Sequence, residues 1–369
     1  MTPFRFLVRF AIFVLLFCVV AEGWLRYVTP ASQLPLYRQN PKTLVYSVDP
    51  HAQRNGLSTI GRIPRRLGTW HVNDAGWLSP YHYSRRQPGH ALVALFGDSY
   101  VAGLYSPVAQ HIDVDLHKRL GQAVPVYAFG TDGWYLEQYV AMTRFVRATY
   151  DPSLIVILVA QGDVHASLSG DDMPYWYHLV RSGSGYREVP PSQVYVASKK
   201  IRLARESALF RYLRYNAHLH IPFVRGNDVE GAPTNADADA GTPQSETESA
   251  ERPLVEAVAP VARFLVQRLC ADNPGVSILI AARGSRYLPV RAVGSTPLPP
   301  DMEALREACA GHAQCYFLDL RMAFSVDWAR HHVRFEATDS SHFNGYANAV
   351  AAHAIGDYII AHHLLAARP

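Results

Sequence analysis

Five short apolar runs punctuate the chain, at residues 91–96, 124–129, 154–160, 276–282 and 315–320, and helical segments lie between them. Such alternation predicts a parallel sheet with helices on both faces. Right-handed crossovers would bring the carboxyl ends of three strands, those leading to Ser99, Gly133 and Asp163, to one rim. A further helix is expected over 343–361, where apolar residues recur at helical spacing. Residues 29–88 show no clear period. Residues 164–200 are rich in Tyr, Ser, Gly and Pro and suit a cap beside the rim. Residues 226–252 are poor in apolar side chains and full of Asp, Glu, Thr, Ala and Pro, a composition that cannot offset its ordering entropy and predicts disorder.

The run over 92–96 stops at Gly97-Asp98-Ser99, where a serine can be exposed at a strand's carboxyl end. Gly, Asp and Ser are also ordinary turn residues, so the tripeptide gains force only from Asp339-Ser340-Ser341-His342 far along the chain. A serine hydroxyl needs an imidazole to take its proton, and the imidazole works best when a carboxylate fixes its tautomer. A spacing of three lets Asp339 and His342 project from one turn toward a common point. The histidine then sits on a loop entering the terminal helix.

In these blocks the chain resembles the SGNH (GDSL-type) hydrolases. Their Gly-Asp-Ser followed by Gly is matched by Gly97-Asp98-Ser99 with Gly103. Their second block, an apolar strand ending in a Gly-containing turn, is matched by 124–138 with Gly133, and their Asp-x-x-His by Asp339 and His342. The resemblance implies a flavodoxin-like three-layer α/β/α sandwich of about five parallel strands, with Ser99 as nucleophile, His342 as base and Asp339 as its orienter. The third block departs: Gly162 stands where the family carries an oxyanion-binding Asn. Loss of one such donor typically costs about two to three orders of magnitude in turnover. The remaining donors would be the amides of Ser99 and Gly133. The Gln161 side chain is either a substitute donor or a solvated loop residue. Asp163 is either a second carboxylate or a clamp on backbone amides.

Among anchored members, partnership with membrane-bound O-acyltransferases that modify envelope polysaccharides is common, which the resemblance carries over as acyl transfer to, or removal from, a glycan. An acyl donor and a glycan acceptor are then the small partners, with no cofactor. A secreted esterase or lipase, and a non-catalytic binding or assembly protein, are the alternatives.

The 369 residues, 49% hydrophobic, suffice for one large core, and a net charge of +4 without a basic stripe argues against nucleic acid. No cluster of Cys and His has the spacing of a metal site. Arg5 and Arg9 precede the uncharged run 10–21, which covers only about 18 Å of the roughly 30 Å hydrocarbon core. That length and Ala21, with Val19 two positions earlier, suit a cleavable signal peptide. Counting Phe4 to Leu25, with Arg9 snorkelling and Trp24 and Tyr27 at the far interface, restores a span. Glu22 and Arg26 also resemble the juxtamembrane turn of anchored family members. The anchor is the preferred reading, giving residues 1–28 as inner-membrane anchor, 29–88 as lead-in and 89–369 as a periplasmic catalytic domain with a cap at 164–222.

Several further residues carry expectations. Cys309 and Cys315 are the preferred disulfide pair, with buried thiols as the alternative. Tyr175, Trp176 and Tyr177 either stack on a sugar or pack the cap. Residues 201–215 form a basic amphipathic helix that either lies against anionic lipid near an anchored domain or, the preferred reading, packs on the domain with its Arg residues solvated. His165 is expected on the rim and His331 and His332 at a solvated helix end. Arg283 and Arg286 either bind an acidic substrate or finish a turn.

Overall fold

The computed structural model describes residues 3–168, 174–219, 251–283, 297–338 and 342–365. Helix α1 (Pro3–Tyr27) is long and apolar enough to cross a membrane, and its side chains are largely exposed until Leu25. Two antiparallel hairpins follow, β1 (Tyr37–Gln39) with β2 (Tyr46–Val48) and β3 (Asn55–Ile60) with β4 (Arg65–His71). Next come β5 (Val93–Gly97), α2 (Ser99–Ala102), α3 (Ile112–Leu120), β6 (Val126–Gly130), α4 (Leu136–Tyr150), β7 (Leu154–Val159) and α5 (Asp163–Ala166). A third hairpin, β8 (His178–Ser182) with β9 (Gly185–Val189), leads to α6 (Lys199–Glu206) and α7 (Ala208–Arg211), which runs into a π turn, Tyr212–Asn216. The chain continues through α8 (Glu251–Asp272), β10 (Ser277–Ala282), α9 (Pro300–Ala310), β11 (Cys315–Asp319), α10 (Leu320–His331) and α11 (Gly345–Ala361).

The five expected strands form one sheet in the order β11-β10-β7-β5-β6, every pair parallel. This is the three-layer architecture that the family resemblance implies. Strand residues alternate between two cores as the pleat requires. Ala94, Phe96, Ile155, Ile157, Ile278 and Ile280 pack against side chains of α4, α8 and α9. Val93, Leu95, Val156, Leu158, Leu279 and Ala281 face α3, α10 and α11.

Residues 37–83 contribute Tyr37, Tyr46, Trp70, Trp77 and Tyr83 to the first core. Trp70 lies across from Gly56, where an added Cβ would stand 1.9 Å from the indole. Gly68 on β4 lies so close to the backbone of Leu104 and Ser106 that a Cβ would meet Ser106 O at 2.5 Å, and Thr69 N donates to Ser106 O at 3.2 Å. The β3–β4 hairpin therefore buttresses the segment that follows α2.

The structure corrects the expected single helix over 201–215. It breaks at Ser207, whose hydroxyl caps α7 by accepting from Phe210 N, and Arg211 is buried and donates to Ser32 O at 2.8 Å instead of facing water. Cys309 and Cys315 are disulfide-bonded. Residues 226–250 of the expected disordered stretch lie outside the described residues, and Glu251 and Arg252 already belong to α8.

Candidate active site

Parallel pairing sets Gly97 of β5 beside Gly130 of β6, so Ser99 and Gly133 leave the same rim two and three residues further on. Asp98 caps α2, its carboxylate accepting from Tyr100 N at 3.0 Å, and Ser99 takes the first helical position. An amide at that position has no intrahelical acceptor. The four-residue helix ends at Gly103, φ +74°, where a Cβ would strike the buried His111 ring at 2.7 Å. Burial lowers the pKa of His111 to about 4, so this support is neutral imidazole. Gly97 and Gly130 let α2 sit directly on the strand ends. A Cβ at Gly130 would lie 2.3 Å from Ala102 N, and one at Gly97 2.5 Å from Val101 Cγ2.

His342 arrives from the opposite end of the chain and stands 2.7 Å, Nε2 to Oγ, from Ser99. Both residues are buried. The loop carrying His342 is tied down on both flanks. Ala337 N donates to His342 O, and Asn344 N donates to Phe335 O while the Asn344 side chain caps α11 through Ala347 N. The imidazole lies between two phenols, parallel to Tyr105 at 3.6 Å between centroids and tilted on Tyr100 at 4.9 Å. The Arg283 guanidinium sits 3.6 Å from the Tyr100 ring centroid and 3.9 Å from Asp98 Oδ2. Arg283 is buried, and its Nε and Nη2 make no hydrogen bond among the described residues. Arg283 thus stands beside Asp98 and Tyr100. Asp339 and Arg286 lie outside the described residues.

The structure brings Ser99 and His342 into contact and places Gly133 and 161–163 at neighbouring strand ends. Gly133 has φ +77° and lies against Trp176. Gln161 is exposed. Gly162 has φ +98°, and its amide donates to Asp301 at 2.5 Å, a carboxyl whose pKa burial raises. Asp163 is buried with Oδ2 accepting from Ala160 N at 2.9 Å, the loop-clamp role. His165, His331 and His332 are exposed. Trp176 is buried against Tyr46 and Tyr135, and Tyr175 and Tyr177 pack on Tyr195 and Arg144, so these aromatics hold the cap together. Among the described residues no group of three or more His, Cys, Asp or Glu could hold a metal.

Sequence reasoning missed Tyr105, Gly130, His111 and Asp301. Tyr105 follows Gly103 by two residues, but neither its spacing nor its type announces an imidazole partner. Gly130 was visible as a glycine closing a strand.

This arrangement can deprotonate a hydroxyl. Ser99 Oγ can pass its proton to Nε2 in a water-poor setting, beside amides at two strand ends.

No protein-family model matches the sequence, and no curated protein does. Among solved structures the chain is similar to Est24, a carbohydrate acetylesterase from Sinorhizobium meliloti, with 12% identity over 74% of this chain and 99% of that one and a TM-score of 0.36. It is similar to Est2A, an acetyl xylan esterase from the rumen bacterium Butyrivibrio proteoclasticus, with 10% identity, 76% and 66% coverage and a TM-score of 0.34. A third is the salicylyl-acyltransferase SsfX3 from a tetracycline biosynthetic pathway, with 13% identity, 77% and 58% coverage and a TM-score of 0.38.

Proposed function

We propose that the chain is a membrane-tethered serine acyl-ester enzyme of SGNH type, with its catalytic domain on the periplasmic side of the inner membrane. The observation that carries this is the 2.7 Å contact between Ser99 Oγ and His342 Nε2 at the carboxyl rim of a parallel sheet. Ser99 attacks the ester carbonyl carbon as Nε2 takes its proton, and the amides of Ser99 and Gly133 hold the oxyanion. His342 returns the proton to the leaving alkoxide, giving acyl-Ser99. It then deprotonates water or a sugar hydroxyl, which takes the acyl group and frees the serine. Asp339 orients the imidazole through its other nitrogen. We assign the acyl group to transfer onto, or removal from, a cell-envelope glycan, with a membrane O-acyltransferase as the supplying partner. The tether supports this assignment, because it would hold the domain where such polymers are made. Support for retention comes from α1 running unbroken through Ala21 into Glu22 and Leu25, both of which contact α7 or its neighbours.

A second reading, a glycan-binding or assembly protein without turnover, is favoured by Gly162, which offers no side-chain donor and whose amide is engaged by Asp301. Purified full-length protein with p-nitrophenyl acetate separates the two. Turnover lost in Ser99→Ala, with an acetyl adduct on Ser99 in the parent by mass spectrometry, is expected. Absence of both turnover and adduct would leave the binding reading standing. A mature amino terminus at Glu22 would overturn the tether.

A further inference from the structure

The carboxyl end of α1 is bolted to the domain. Glu22 accepts from Ala208 N and Leu209 N at 2.8 Å each and from Ser207 Oγ at 3.0 Å, Arg26 donates to Glu206 O, and Leu25 packs with Ala31 and Ala208. A carboxylate engaged with the polar start of a helix lies outside hydrocarbon, so the membrane boundary falls just before Glu22. The stretch from Pro3 to Ala21 is then roughly 28 Å long, matching a hydrocarbon core of about 30 Å. Trp24, 55% exposed, and Tyr27, 84% exposed, stand at the interface.

At this level sits the tip of the β3–β4 hairpin. Tyr212, packed beside Leu25 and Ala208, donates its hydroxyl to Arg62 O at 2.8 Å, and Asn216 Nδ2 donates to Gly61 O. One tyrosine ring therefore separates the hairpin tip from the last turns of α1. The tip reads Arg62-Ile63-Pro64-Arg65-Arg66, with Ile63 75% exposed and the three arginines exposed around it. Arg214 adds a fourth positive charge from the π turn, and Leu219, 52% exposed, a second apolar side chain. His218 nearby is lowered in pKa by burial and by Arg214 and Arg62. Among the described residues none of Arg62, Arg65, Arg66 and Arg214 pairs with a carboxylate.

We propose that the 61–66 hairpin tip, with Arg214 and Leu219, is a second membrane contact that inserts Ile63 among anionic phospholipid headgroups beside the α1 exit. The occupant follows from charge complementarity and from continuity with the apolar helix, and the proposal rests on the tether reading above. Each basic residue at an anionic surface is worth roughly fivefold in affinity, so reversing Arg62, Arg65 and Arg66 should shift the docked-to-undocked ratio by at least about a hundredfold.

The test uses the full chain with Cys18 and Cys270 replaced by Ala, Ile63→Cys labelled with the polarity-sensitive fluorophore NBD, and reconstitution into phosphatidylcholine vesicles with or without phosphatidylglycerol. Blue-shifted, brominated-lipid-quenched emission is expected with phosphatidylglycerol and lost when Arg62, Arg65 and Arg66 become Glu; a Met322→Cys probe should stay water-like. Vesicle flotation at alkaline pH reads the tether separately. A chain that floats while its residue-63 probe stays water-like overturns the hairpin contact alone; a chain that does not float overturns the tether. Probe burial that follows protein density instead of lipid charge would identify a second copy and also overturn the proposal.

Discussion

Replacing Gly130 with alanine tests how the serine is held. The added Cβ would lie 2.3 Å from Ala102 N, 2.6 Å from Val101 C and 2.9 Å from Val101 Cβ, and two of those atoms are backbone of the helix that carries Ser99. Relief to ordinary contact requires α2 to rise by roughly 1 Å, at a cost of about 1–3 kcal/mol for overpacking. The backbone angles of Gly130 are not left-handed, so space alone sets that cost. Moved by that amount, Ser99 Oγ would stand roughly 3.7 Å from His342 Nε2, beyond hydrogen-bond reach. A misplacement of about 1 Å in a reacting group can cost on the order of a hundredfold in rate. The expected result is a folded protein with kcat on p-nitrophenyl acetate down about a hundredfold. Circular dichroism melts would show the stability loss separately. Gly185→Ala is the control, because its nearest new contact is 4.0 Å away. A folded Gly130→Ala protein that keeps more than about a fifth of the parent's kcat would refute the reasoning that β6 sets the position of α2 and its serine.

Asp113, fully buried on α3 with one oxygen accepting from Ser79 Oγ, has its pKa raised by burial to about 7 from the ordinary 3.8. Between those values the folded state keeps a proton that the unfolded chain has shed, so stability present at low pH is lost as pH rises toward 7, by on the order of 4 kcal/mol for this group. Asp113→Asn should remove that slope in denaturant unfolding measured across pH 4 to 7; an unchanged slope would sink the assignment. Glu22→Ala should leave the amides of Ala208 and Leu209 without their acceptor, costing about 1–2 kcal/mol and speeding their hydrogen exchange about tenfold or more. Equal protection in parent and variant would show that α7 keeps its cap without the anchor.

How much of this was legible depended on how each segment earns its place. The sheet strands were readable to within two residues, and β5, β6, β7 and β10 are buried on both faces, so that every position from Leu154 to Val159 is apolar. The hairpins over 37–71 were not, since their strands mix buried and exposed positions without a continuous apolar run and owe their position to Tyr and Trp side chains reaching the core. Ser99 and His342 were found by motif, and the geometry joins them. Gly162 was readable only as an absent side chain. Its left-handed backbone and the bond to Asp301, 139 residues away, depend on tertiary packing. The same holds for Arg283, whose apolar strand gives no hint of a guanidinium stacked on Tyr100.

Ser99 and His342 are 243 residues apart, and each stands at the entrance to a helix at an opposite end of the sheet-forming sequence. A chain emerging amino end first thus displays its hydroxyl long before its imidazole partner is in place, and α11 packs on α3 where the two meet. Under the proposed mechanism, chemistry is deferred to the completion of folding. On that mechanism, fragments ending before His342 would be inert however well their sheet had formed, so the order of the blocks along the chain would itself delay the reaction.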